Sequence, residues 1–297
     1  MSLVAKRLQQ AYDNAVVLPF DARSKIVIMS DCHRGQGNNG DNFLNNQNLF
    51  FGAMEYYYDN GFTYIELGDG DELWENRKMC PIIETHSDAF WIMSKFYRAN
   101  RMYMLYGNHD AVKSRPSFIK KHCNHYYCDS VRGCLPLFPG IQIHQSLILE
   151  DSEKRRLFLV HGHQGNLLND QLWPLARFLV RYVWRPLELV GFLAPTGAGR
   201  PNKKKDRIER ELAAFADSKR QIMIAGHTHR PFFPKPGEGF YFNDGSCVHP
   251  RCITAIEIEN SRMTLVKWLI TTRKDRNLFV NRQVLAGPTE IASYFLP

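Results

Sequence analysis

The apolar residues of this chain come in short runs, each ending abruptly in Asp, Asn, His or Gly. Lys25-Ile-Val-Ile-Met-Ser-Asp31-Cys-His33 sets the type: a β-branched run, read as a strand over about 25–30, stops at a carboxylate and an imidazole. The same build returns four times. Strand 63–67 runs into Gly68-Asp-Gly-Asp-Glu72, and strand 102–106 into Gly107-Asn-His-Asp110. Strand 156–160 runs into His161-Gly-His163, and strand 221–225 into Gly226-His-Thr-His229. Helical periodicity fills the intervals at 2–14, 43–60 (stopped by Gly61), 84–99 and near 116–122. Short strands are expected around 126–131 and 141–149. The chain finishes with strands at 239–243, 253–259 and 263–270 and a basic tail. Strands separated by helices predict βαβ units in the first half. Strands in succession predict antiparallel additions in the second, giving an α/β fold.

Positions i and i+2 of a strand share a side, so Asp31 and His33 can reach one point beyond the strand's carboxyl end. Ligands of open α/β sheets bind in the crevice outside those ends, where all five loops would converge. Burying so many polar groups without partners would cost about 2–7 kcal/mol each. A shared divalent transition metal, which accepts imidazole and carboxylate together, removes that cost. The loop Arg34-Gly-Gln-Gly-Asn-Asn-Gly-Asp41 either makes a tight turn or presents backbone N–H groups to an anion. Arg34, directly beside the Asp31/His33 pair, favours phosphate contact.

Composition changes this picture little. The 297 residues, 44% apolar and 23% charged, suit a globular chain able to bury a full core. A formal charge of +8 favours anionic partners. Seven cysteines without paired spacing read as reduced thiols in a cytoplasmic protein. No apolar run of about 18 residues or signal-peptide hydrophobic region is present.

The five strand-end motifs resemble the blocks D-x-H, G-D-x-x-D/E, G-N-H-D, a lone His and G-H-x-H of the calcineurin-like metallophosphoesterases. Order and spacing agree across about residues 25–250. The resemblance implies a four-layer αββα sandwich, one domain over 1–297 with a helical cap insertion at 165–218, and a two-metal site. Asp31, His33 and His229 would hold one ion, Asn108, His161 and His227 the other, with Asp69 bridging. His109 would face the substrate and Asp110 would orient it. His163 also lies in reach, but the family pattern selects His161 and leaves His163 as a supporting or solvent group. His86, His122, His125, His144 and His249 fall outside the blocks and read as surface or structural.

Two divalent ions about 3.5–4 Å apart would generate a bridging hydroxide that attacks phosphorus in line with the departing oxygen. Mixed nitrogen and oxygen ligation favours manganese, iron or zinc over magnesium, with manganese the first expectation. The implied activity is hydrolysis of a phosphate ester or pyrophosphate bond in a phosphorylated, anionic substrate. The alternative of another class is a metal-containing protein-interaction scaffold without turnover.

Specificity is expected in the insertion. Residues 167–193 are densely apolar, with Arg177, Arg181 and Arg185 on one helix face between Pro174 and Pro186. They read either as a cap with solvated arginines or as an amphipathic lid for a lipid chain or an anionic bilayer at the inner face of the membrane. A basic loop at 197–205 and a charged helix at about 206–218 follow. The insertion and Gly68–Trp74 are similar to bacterial UDP-diacylglucosamine pyrophosphatases, which act on a lipid-linked nucleotide sugar. His109 and Gly162-His163 depart from their pattern, so that substrate stands as an alternative. Leu73-Trp74 after Glu72 departs from the serine/threonine protein phosphatases. Without a stripe of interleaved aromatic and basic residues, nucleic acid is not the expected partner. Oligomeric state has no signal in the sequence.

Overall fold

The computed structural model describes residues 2–128, 132–165, 177–184 and 203–296. Helix α1 (Leu3–Asp13), capped by Ser2, leads to strands β1 (Val16–Pro19) and β2 (Lys25–Met29). Helix α2 (Gln47–Asp59) connects to β3 (Thr63–Leu67), and α3 (Cys80–Thr85) with α4 (Ser87–Arg98) connects to β4 (Met102–Leu105). Helix α5 (Pro116–His122), β5 (His125–Cys128) and β6 (Gly133–Pro136) form an excursion. Strands β7 (Ile143–His144), β8 (Ser146–Glu150) and β9 (Arg156–Val160) come next, then α6 (Lys203–Lys219) and β10 (Ile222–Ala225). The chain closes with β11 (Tyr241–Asn243), β12 (Cys252–Glu259), β13 (Arg262–Thr272) and β14 (Leu278–Glu290).

Two sheets result among the described residues. One has the order β14-β13-β12-β2-β3-β4-β7, the other β1-β8-β9-β10-β11. Strands β2, β3, β4 and β7 run parallel while β12–β14 add antiparallel, as the alternation of elements predicted. The sheets share a dry seam in which Ile26, Ile28 and Ile65 meet Leu147, Leu159 and Ile224. Alternate residues of the same strands face outward. Val27, Met29 and Tyr64 pack under α2 and α4, and Phe158, Val160 and Met223 pack under α1 and α6. The architecture is therefore the αββα sandwich. Central strands covered on both faces need apolar residues at every position, hence continuous runs rather than alternation.

Five elements differ from the sequence expectation. Strand β11, expected among the antiparallel additions, pairs parallel with β10 in the other sheet. The run 141–149 is not one strand: the chain switches sheets near Gln145, so β7 and β8 belong to different layers. The helix expected over 84–99 is broken at His86 (φ −112°, ψ 40°), whose ring is drawn to Asp41, 2.7 Å away. The basic tail is strand β14, paired with β13 over most of its length. Strand β1, not expected at all, lies parallel to β8. In the insertion, Arg177–Trp184 is helical, ending in a π-helical turn at Val180–Trp184. Pro174, Arg185, Pro186 and the rest of 166–176 and 185–202 lie outside the described residues. No helix among the described residues is long and apolar enough to cross a membrane.

Candidate metal centre

The five motif loops meet at one end of the sandwich, at the carboxyl ends of β2, β3, β4, β9 and β10. To turn there, Asp31, His33, Asp69, His227 and His229 all adopt left-handed backbone conformations, with φ between 49° and 66°. Such geometry costs about 1–3 kcal/mol per residue and persists only where the surroundings enforce it. Backbone bonds Asp31 N–H to Gly68 O (3.1 Å), His33 N–H to Asp69 O (2.9 Å) and Gly226 N–H to His161 O (3.0 Å) lock neighbouring loops together. Gly107 is obligatory for close approach: a Cβ there would stand 2.2 Å from Asp69 Oδ1 and 2.7 Å from Asp69 N.

Asp31, Asp69, His33 and His161 each have one polar atom tied and another turned toward the centre. Asp31 Oδ2 accepts from Ser30 Oγ (2.5 Å) and from the His227 N–H (2.8 Å), while Oδ1 has no hydrogen bond. That Oδ1 lies 3.0 Å from His229 Nε2 and 3.6 Å from His33 Nε2. Asp69 Oδ1 accepts from the His109 N–H (2.7 Å), and Oδ2 lies 3.1 Å from His161 Nε2 and 3.9 Å from His33 Nε2. His161 Nδ1 is tied to Leu67 O (2.9 Å) and His33 Nδ1 to Glu72 Oε2 (3.2 Å), which turns both Nε2 atoms inward without hydrogen bonds. The amide oxygen of Asn108, a residue 1% exposed, is likewise unpartnered. Buried polar atoms are nearly always bonded, so this concentration of unpartnered donors marks a cradle that fits a cation. Ligand atoms of Asp31, His33 and His229, and those of Asp69, His161 and His227, lie within 4.8 Å of one another in each set. The nitrogen and oxygen donors fit divalent transition metals, and outer partners fixing each imidazole are what metal-binding histidines need.

The buried acids and imidazoles perturb one another strongly. Burial raises the Asp31 and Asp69 carboxyls, but the surrounding imidazoles outweigh it and hold both well below the ordinary range. Burial lowers His161, yet Asp69 and Asp31 carry it up to about 9. His227, which burial and the neighbouring His161 push well below its ordinary value, stays neutral and available as a donor.

His109 stands at the rim, its side chain 25% exposed. Its ring stacks on Trp74 at 4.2 Å and 20°, and Trp74 Nε1–H bonds to Asn108 O (2.5 Å). Its Nδ1 lies 2.7 Å from Glu72 Oε2. Burial lowers its pKa, but Glu72 and Asp69 raise it above the usual histidine value.

Two sequence expectations are corrected here. Asp110 does not orient His109: its Oδ1 accepts from the Gly107 N–H (2.7 Å), and its Oδ2 accepts from the Gly70 N–H (3.2 Å) and Lys113 Nζ (2.8 Å). It ties two loops together beneath the site, while Glu72 performs the orienting contact. Arg34 does not reach a phosphate position. It is fully buried between Asp71 (2.7 Å) and Glu66 (2.8 Å), because two carboxylates outcompete the open rim. Lys113, 1% exposed, completes this network on Asp71 at 2.6 Å. His163 is buried beside His161 rather than solvated, at a ring separation of 5.6 Å. Nor is Arg181 solvated: it donates to Trp74 O and Leu73 O (both 2.8 Å) and Asn76 O (3.0 Å). None of the six cysteines with described side chains forms a disulfide.

A sandwich with imidazoles and carboxylates converging at its strand ends defines a phosphoesterase-like metal cradle. The chain matches the calcineurin-like phosphoesterase family over residues 24–231 and belongs to that family. No curated protein sequence matches it. Among solved structures it is similar to Vps29 of Chaetomium thermophilum, at 8% identity, TM-score 0.38, covering 90% of this chain and 97% of that one. It is also similar to a protein of Staphylococcus aureus described as a 5'-nucleotidase, in complex with alpha-ketoglutarate. There the identity is 15% and the TM-score 0.34, covering 88% of this chain and 53% of that one.

Proposed function

We propose that the protein is a hydrolase of phosphate esters or pyrophosphates that uses two divalent metal ions, manganese first among the candidates. Asp31, His33 and His229 would hold one ion and Asn108, His161 and His227 the other, with Asp69 between them. The observation that carries this reading is the set of buried ligand atoms without hydrogen bonds on Asp31, His33, Asn108 and His161, with the other polar atom of Asp31, His33 and His161 tied. When bound, the ions supply Lewis-acid activation of water and neutralise the phosphoryl oxygens.

The chain's own groups do the rest. Glu72 occupies His109 Nδ1, so Nε2 is the atom presented to substrate. Glu72 and Asp69 raise the His109 pKa against the effect of burial, which favours the protonated ring that can stabilise a phosphoryl oxygen or protonate the departing one. Trp74 fixes the ring plane and covers one face of it from water. Asn108 offers an amide oxygen, which adds no negative charge where an anionic substrate must approach. Hydrolysis of bis(p-nitrophenyl) phosphate with added manganese tests the reading. His109→Ala should lower kcat by about 10²–10⁴-fold, and turnover unchanged in His109→Ala and Asp69→Asn would reject it.

A second reading, an amphiphilic substrate such as a lipid-linked nucleotide sugar met at a membrane surface, draws on the segment at Arg177–Trp184. Phe178, Leu179 and Tyr182 are 55%, 49% and 50% exposed there. Co-sedimentation with anionic liposomes tests it. Protein remaining wholly in the supernatant at low salt would remove it.

A further inference from the structure

A cavity of about 380 Å³ lies beside the metal centre, between the loop following Glu72 and the described helical segment of the insertion. Gln36, Glu75, Arg77, Lys78, Arg181 and Tyr182 line it, so three cations face a single acid. The wall toward the reaction site is one residue thick. Arg181 grips the backbone carbonyl of Trp74, and the Trp74 ring stacks on His109 on the other side. Arg77 and Lys78 are exposed, and the Arg77 guanidinium lies 5.6 Å from the centre of the Tyr182 ring, bonding its hydroxyl.

Further cations stand close to one another outside the lining. Arg177 is lowered by burial and then by the nearby Arg115. His122 is lowered by burial and then by Lys121 and Lys78. Within the lining itself, three cations against one acid favour an anionic occupant.

We propose that this cavity is a leaving-group subsite for an organic phosphate whose alcohol portion carries a second anionic group, a phosphate or carboxylate. Arg77 and Lys78 bind that group and Tyr182 lines the apolar part of the alcohol. This deepens the phosphoesterase reading and rests on it for turnover, but not for binding.

The test compares phenyl phosphate with 4-carboxyphenyl phosphate, which differ by one charge, on the full-length protein and its Arg77→Ser/Lys78→Ser variant. Affinity is measured by calorimetry and turnover by phosphate release. Surface ion pairs are each worth up to about fivefold. The protein should prefer the carboxylated compound by about 5–25-fold in affinity and in kcat/KM. The double variant should lose that preference while handling phenyl phosphate as before. No preference for the carboxylated compound, or one that survives the double substitution, would overturn the proposal. So would equal losses on both compounds. If neither compound nor bis(p-nitrophenyl) phosphate turns over but the binding preference appears and vanishes as described, the subsite stands and the phosphoesterase reading falls.

Discussion

Glu72 Oε2 lies 2.7 Å from Nδ1 of His109. The same carboxylate reaches Nδ1 of His33 at 3.2 Å, so one side chain orients both a candidate metal ligand and the imidazole facing substrate. Burial raises the Glu72 carboxyl, but His109 and His33 bring it down to about 2, and it stays charged throughout the working range. Glu72→Gln should lower kcat by about 10–100-fold at saturating manganese. It should also move the alkaline limb of the pH profile downward. His109 as an acid is active below its pKa, and the carboxylate that raises that pKa would be gone. Initial rates between pH 5 and 9 check both effects.

Asp110→Asn should behave differently. Asp110 binds the Gly70 and Gly107 amides and Lys113, not His109, so its loss should reduce stability and leave the alkaline limb in place. A shift of that limb equal to that of Glu72→Gln would contradict the assignment.

Lys113→Met should be strongly destabilising. It removes one partner from a buried network and leaves Asp71 and Asp110 facing each other's charge. Breaking a buried pair this way costs about 3–5 kcal/mol, readable as the shift in urea denaturation.

Asp71 ties acid stability to the same network. Burial raises it, but Arg34 and Lys113 bring the carboxyl down to about 2 from an ordinary 3.8. Its folded-state pKa is therefore depressed, and the stability it contributes is present above about pH 4 and lost as pH falls toward 2. The amount is on the order of 2 kcal/mol. Asp71→Asn should be less stable at neutral pH and show a flatter decline of stability between pH 5 and 3.

Gly107→Ala probes the contact of two loops. Its Cβ would press on the Asp69 carboxylate and amide, so Asp69 must move while the sheets stay intact. Manganese affinity should fall at least about tenfold with the circular dichroism spectrum unchanged.

The legible parts of this molecule were those set by local sequence. Strands β2, β3, β4, β9 and β10 are buried on both faces and must be apolar throughout, and their polar ends announce the site directly. Strand β14 is mostly exposed and held by its pairing with β13, so nothing in Leu278–Glu290 distinguishes it from a tail. Strand β1 is four residues long and largely exposed, and its partner lies over a hundred residues away. The switch of sheets at Gln145 is invisible because both sheets demand the same apolar residues. The roles of Glu72, Asp110 and Arg34 depended on which charges meet in space. One signal was present: Glu66 within β3, with Asp71, Glu72 and Asp110 in the two motif loops, makes more acids than a metal pair needs, which asks for buried cations such as Arg34 and Lys113.

The most direct test is calorimetric titration of manganese into metal-free protein and its Asp69→Asn variant. Two ions should bind per chain, and the variant should lose most of the affinity at both positions, because Asp69 lies against ligands of each. No binding by the unaltered protein, or identical isotherms for the two, would contradict the account.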